Sequence, residues 1–159
     1  MSQAENPEER AAWCRRFASA ANNRAWTLSE QLERTPDEDQ EMLHAAHAAA
    51  HLWQEIGSPQ NNALADMLLG QVHALLGNSA YAMLYAMRSH QFFNSRSSEA
   101  WELALVHAIL ANAAFCGSDA ALHRSSYQAA QEWVAQLNDP QDKEIVLATL
   151  RVVPEPSDR

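Results

Sequence analysis

The stretch Asn61–Asn94, NNALADMLLGQVHALLGNSAYAMLYAMRSHQFFN, decides the fold of this chain. Apolar residues recur in it at intervals of three and four positions, which is the period of one face of an α-helix. The pair Gly77-Asn78 interrupts this pattern once and is typical of a tight turn. The stretch therefore predicts two amphipathic helices, Pro59–Leu76 and Asn78–Phe93, that pack antiparallel as a hairpin.

Further helices are predicted outward from this hairpin because several dipeptides place a capping residue before a proline. Proline suits the first helical position, where its missing N–H would have no intrahelical partner. These dipeptides are Asn6-Pro7, Thr35-Pro36, Ser58-Pro59 and Asp139-Pro140. With Gly57 and Gly117 as stops, the predicted helices are Pro7–Glu33, Pro36–Ile56, Ser98–Cys116, one capped by Ser118 or Asp119 that ends near Leu137, and Pro140–Leu150. Whether Asn22-Asn23 splits the first helix is left open.

The predicted fold class is all-α, with about seven antiparallel helices. Connections of about two to four residues force neighbouring helices to lie antiparallel, so the first six form three stacked hairpins. The seventh helix would cover the apolar face that the last pair leaves open. We expect a single domain over residues 1–153 and a flexible tail over residues 154–159, where two prolines prevent a helix.

Composition excludes several classes of function. The chain of 159 residues has a formal net charge of −9, with one lysine and ten arginines, so it lacks the basic surface that nucleic acids or anionic membranes require. No apolar run approaches the length of a membrane span or a signal peptide. Cys14 and Cys116 have neither metal-ligand nor redox-pair spacing. We therefore expect a reduced, cytoplasmic protein.

The central hairpin resembles the tetratricopeptide repeat. Leu69-Gly70 stands seven residues before the turn glycine, and the small residues Ala82 and Ser89 follow at a spacing of seven. Small residues at these places let two helix backbones approach closely. The resemblance covers the 34 residues of one repeat and implies a helical surface that binds a peptide or protein.

This likeness has departures, and a second likeness accompanies it. His73, Ala86 and Asn94 replace the tyrosine, phenylalanine and proline of the repeat, and Asp66 replaces a large aromatic residue. The segments NRAW, EMLHAAHAAAHLW and ADMLLGQVHALLG, which begin at residues 23, 41 and 65, look like a group of small bacterial proteins. That group brings no activity with it.

Histidines are the first candidates for a site. His44, His47 and His51 follow one another at i, i+3 and i+7, which places them on one face of the second predicted helix. Because His47 and His51 are four residues apart, both rings could bind one divalent metal such as zinc. His107 or Glu102 from the fifth predicted helix would supply a further ligand. The other interpretation is that these histidines are structural or line a groove. Each ring would then pack against the core on one side and be hydrogen-bonded or hydrated on the other.

Aromatic residues give two further expectations. The five tryptophans are spread through the chain, as core anchors are, and Trp101 is expected to be the one partly exposed. On the fourth predicted helix, Tyr81, Leu84 and Tyr85 fall on one side and small residues on another. Two such faces indicate either a helix packed on both sides or a seam for a partner helix or a homodimer.

The sequence predicts a non-enzymatic interaction module that needs no cofactor. It contains no glycine-rich phosphate loop, nucleophile elbow or His-Glu-x-x-His motif. The expected partner is a protein or peptide, with a metal-binding protein or a small-molecule binder with an interhelical pocket as the alternatives. The candidate binding residues are His44, His47, His51, His73, Tyr81, Trp101 and His107.

Overall fold

A computed structural model describes residues 6–157, and this part of the chain contains seven α-helices and no strand. The prediction of an all-α fold is confirmed. The helices are α1 (Pro7–Ser29), α2 (Pro36–Ile56), α3 (Pro59–Leu75), α4 (Ser79–Asn94), α5 (Ala100–Cys116), α6 (Ala120–Ala135) and α7 (Pro140–Leu150).

The helix starts predicted at Pro7, Pro36, Pro59 and Pro140 are confirmed, and each is capped by the side chain before the proline. Thr35 accepts a hydrogen bond from the backbone N–H of Glu38, whose carboxylate accepts one from the Thr35 N–H in return. Ser58 and Asn61 make the same reciprocal pair at the start of α3. Each pair satisfies N–H groups that have no partner inside the helix.

Several boundaries differ from the prediction. Helix α3 ends at Leu75 rather than Leu76, α4 spans Ser79–Asn94 rather than Asn78–Phe93, and α6 ends at Ala135 rather than near Leu137. The other two differences have a visible cause. Helix α1 is continuous through Asn22-Asn23 but ends at Ser29 rather than Glu33. The connection after it is held by Arg34, which donates to the Gln31 carbonyl and to the Asp39 carboxylate. Helix α5 begins at Ala100 rather than Ser98, because Glu99 is the cap and its backbone N–H donates to the carboxylate of Glu102.

The predicted three hairpins are also confirmed. Helices α1 and α2, α3 and α4, and α5 and α6 pack as consecutive pairs, and α7 packs against α5. Helix α3 contacts four others (α1, α2, α4 and α5), and α5 likewise contacts α3, α4, α6 and α7. These two helices are therefore surrounded on most sides, which explains why α5 is apolar around nearly its whole circumference.

Helices α3 and α4 approach each other closely at Gly70, which is buried. A Cβ added there would lie 3.0 Å from the backbone nitrogen of Ala86 and 3.2 Å from both its Cα and the Ile109 Cγ2. Ala86 is one of the positions where the chain departs from the tetratricopeptide repeat. A phenylalanine at this position has no room while the helices cross at this distance.

The tryptophans do not all behave as core anchors. Trp13 is 46% exposed and stacks on Phe17, which is also exposed, so the prediction of a core role is wrong for it. Trp26, Trp53, Trp101 and Trp133 are partly buried and pack against the two apolar clusters of the core. Among the described residues, no helix has both the length and the apolar character needed to cross a membrane.

Candidate functional site

Two histidines from different hairpins meet at one surface. The Nε2 atoms of His47 in α2 and His73 in α3 lie 3.2 Å apart. The side-chain nitrogen of Asn78, in the turn between α3 and α4, lies 3.3 Å from the other ring nitrogen of His73, Nδ1. The His73 ring is thus held at both nitrogens by residues on either side of it.

Two tyrosines of α4 complete this group, which we call the His–Tyr cluster (His47, His73, Asn78, Tyr81 and Tyr85). The His73 ring stacks on Tyr85 at a centroid distance of 5.7 Å and an angle of 12°, and it lies 5.3 Å from Tyr81. His73 is 6% exposed, whereas Tyr81 is 57% exposed. His73 therefore forms the floor of the cluster, and Tyr81 faces solvent.

Burial lowers the pKa of both His47 and His73 below the usual value for histidine, and a neighbouring histidine lowers each further: His44 for His47, and His47 for His73. Both rings are therefore neutral at pH 7. Because the Asn78 amide nitrogen can only donate, it donates to Nδ1 of His73, which leaves the ring proton on Nε2. The Nε2–H group of His73 then donates a hydrogen bond to Nε2 of His47.

His44 and His51 lie on α2 but outside the cluster. Both are exposed, and His51 Nε2 lies 3.9 Å from an oxygen of Glu55 one helical turn further on. An electrostatic contribution from His44 helps to lower the pKa of His47. The predicted face of three histidines thus contributes one ring, His47, to the cluster.

The structure does not bring together the predicted metal ligands His47, His51, His107 and Glu102. His107 packs edge to face on His90 at 4.8 Å, and burial lowers its pKa to about 4. The Glu102 carboxylate accepts hydrogen bonds from the Gln60 amide and the Glu99 backbone N–H. Within residues 6–157, no three His, Cys, Asp or Glu side chains are placed to hold one ion. The interpretation that joined them fails because His47 turns toward α3 and not toward α5.

Beside the His–Tyr cluster, α4 exposes large apolar side chains. Tyr81, Leu84 and Met87 are 57%, 48% and 46% exposed, and we call them the α4 stripe. Arg88 borders the stripe, with its guanidinium 5.7 Å from the ring centre of Tyr85 and 3.2 Å from the carboxylate of Asp66. Of these residues, only Tyr81 was named as a binding candidate from the sequence. The position of Leu84 and Tyr85 on the same helical face as Tyr81 was the pattern that could have indicated the exposed surface.

Trp101 lies apart from the histidines that were predicted as binding residues. It lines a cavity of about 370 Å³ between α1, α3, α5 and α7, which we call the Trp cavity. The apolar lining consists of Trp26, Leu64, Met67, Trp101, Leu105 and Ile145. The structure therefore places His47, His73 and Tyr81 in the His–Tyr cluster and Trp101 in an apolar cavity. His44, His51 and His107 belong to neither.

The class that this geometry defines is a stack of helical hairpins, consistent with a helical repeat-like fold. No protein-family model matches the chain, and neither the curated proteins nor the solved structures that were compared contain a match. The hairpin stack therefore rests on the chain's own packing, in which α3 and α5 are each in contact with four other helices.

Proposed function

We propose that the protein is a non-enzymatic interaction module that binds a partner helix across α2 and α4. The observation that carries this proposal is the α4 stripe, in which three large exposed side chains begin at Tyr81 of the His–Tyr cluster and continue along α4 through Leu84 and Met87. Contiguous apolar side chains on a surface favour a site of association. The proposal includes the resemblance of the central hairpin to the tetratricopeptide repeat, a family whose members bind peptides.

The chemistry of the surface indicates which partner it takes. Tyr81, Leu84 and Met87 are spaced by three residues, so they form a ridge that complements apolar residues at i, i+3 and i+4 of an amphipathic helix. Tyrosine is enriched among the residues that dominate interface energies, because it buries a large ring and keeps a hydroxyl for a hydrogen bond. The chain has a net charge of −9, which favours basic residues at the edges of the partner helix.

A displayed library of random peptides, selected against the purified protein, tests this proposal. We expect enriched peptides with an amphipathic helical pattern and basic flanks. Leu84→Glu should weaken their binding about tenfold or more, because a charge in the middle of an apolar contact is desolvated without a partner. The matched control is Leu32→Glu, since Leu32 is 80% exposed and belongs to no apolar stripe.

Two results would contradict the proposal. One is a selection in which no peptide is enriched, or in which the enriched peptides bind Leu84→Glu as tightly as the unaltered protein. The other is a dimer, measured by light scattering, that Leu84→Glu dissociates and Leu32→Glu does not. In that case the stripe is occupied by a second copy of the chain.

A further inference from the structure

The Trp cavity is built differently from the α4 stripe. Its floor is formed by Met67 and Leu105, which are 0% and 3% exposed, and its walls include the partly buried rings of Trp26 and Trp101. Ile145 stands at the edge and is 44% exposed. A volume of about 370 Å³ lies within the range of small-molecule sites, which are mainly apolar concavities with a few polar groups.

One carboxylate marks this cavity. Glu30, the residue that caps the end of α1, lines it, and burial raises the pKa of the Glu30 carboxyl. The nearby Arg151 opposes this rise, but its guanidinium is bonded to the carboxylate of Glu144. Glu30 thus places a carboxylate in the lining of the Trp cavity, while the guanidinium of Arg151 is paired with another carboxylate outside that lining.

We propose that the Trp cavity binds an organic cation with an apolar body, such as an arylalkylamine. The apolar body would fill the space above Met67 and Leu105, where burial of its surface drives binding. Indole rings attract cations through their π faces more strongly than other aromatic side chains do, and Trp26 and Trp101 supply two of them. The ammonium group would lie toward Glu30.

The charge of the lining selects among ligands with the same apolar body. A carboxylate ligand would bring its charge next to the Glu30 carboxylate and be repelled. A neutral alcohol would gain the apolar contacts without the attraction to Glu30 and the indoles. The expected order of affinity is therefore amine, then alcohol, then carboxylate.

Three probes that share one apolar body, 4-phenylbutylamine, 4-phenylbutanol and 4-phenylbutyrate, test this order. Binding is followed by the indole N–H signals of the five tryptophans in two-dimensional NMR spectra, assigned through single Trp→Phe variants. We expect the amine to bind about tenfold more tightly than the alcohol and to shift the Trp26 and Trp101 signals, with those of Trp13 and Trp133 unchanged.

The variant Glu30→Gln removes the carboxylate charge and keeps the size of the side chain that lines the cavity. We expect it to reduce the affinity of the amine to that of the alcohol and to leave the alcohol unaffected. Glu9→Gln, an exposed change near the other end of α1, is the matched control and should preserve the preference. The proposal is overturned if no probe saturates in the millimolar range, if the three bind equally, or if Glu30→Gln leaves the preference for the amine intact.

Discussion

Replacing Gly70 by alanine tests whether the α3–α4 crossing is as tight as the structure shows. Alanine favours an α-helix over glycine by about 1 kcal/mol, so an unhindered site would gain stability. The new Cβ would lie 3.0 Å from the Ala86 nitrogen, and a helix backbone cannot move aside as a side chain can. Overpacking of this kind costs about 1–3 kcal/mol. We therefore expect a net loss of about 1 kcal/mol.

Urea unfolding followed by circular dichroism measures this change, and a loss of about 1 kcal/mol corresponds to a fall in Tm of roughly 2–4 °C. Ala48→Gly, at an exposed position in α2, measures the difference in helix propensity alone and should lower the free energy of unfolding by about 1 kcal/mol. If Gly70→Ala is instead stabilising by the amount that Ala48→Gly loses, the two helices separate at little cost. The argument from close approach would then be refuted.

Three further outcomes are expected. The unfolded chain protonates His107 near pH 6.5 and the folded one near pH 4, so His107 should lower the free energy of unfolding by up to about 3 kcal/mol as pH drops through this range. In urea titrations, His107→Gln should remove this part of the fall and leave the part due to His47, His73 and His90, whose pKa values burial also lowers. The exposed change His44→Gln should not remove it. The buried Asn112 amide donates to the Gln71 side-chain oxygen at 2.9 Å. Gln71→Leu and Asn112→Leu should each lower the free energy of unfolding by about 1–3 kcal/mol, and the double variant should lower it by less than their sum. Strict additivity in the double-mutant cycle would contradict the pairing. Added zinc should leave Tm unchanged in protein without a histidine tag, since the described residues hold no ligand group of three around His47; stoichiometric binding with a rise in Tm would contradict this.

Most of the fold follows from local signals that need no knowledge of packing. A cap followed by proline fixes the start of α1, α2, α3 and α7, because these are interactions between residues close in the chain. The ends of helices are harder to predict from local sequence signals. Helix α1 ends four residues before the predicted Glu33, where Arg34 bonds to Gln31 and Asp39, and the helical pattern of the sequence contains no trace of those contacts.

The candidate site was only partly predictable because it depends on how helices rotate against one another. The spacing of His47 and His51 indicates that they share a face of α2, but it cannot show that His47 turns toward His73 while His51 stays in solvent. His73 was singled out as a departure from the repeat pattern, and it is the residue on which the cluster is built. Asn78 was assigned to the turn and the start of the fourth predicted helix, since nothing in the sequence shows that its side chain reaches the ring of His73.

Helix α3 separates the two proposed binding regions. It contributes His73 to the His–Tyr cluster, and Leu64 to the Trp cavity nine residues earlier. Nine residues correspond to roughly 13 Å along the helix and to opposite sides of it. Between them lies Gly70, where α3 is in close contact with the backbone of α4 and has little freedom to shift. Coupling between distant sites requires an element with two arrangements, and a helix fixed at its midpoint is a poor candidate for one. A partner helix on α4 and an organic cation in the cavity should therefore bind independently, and neither proposal depends on the other.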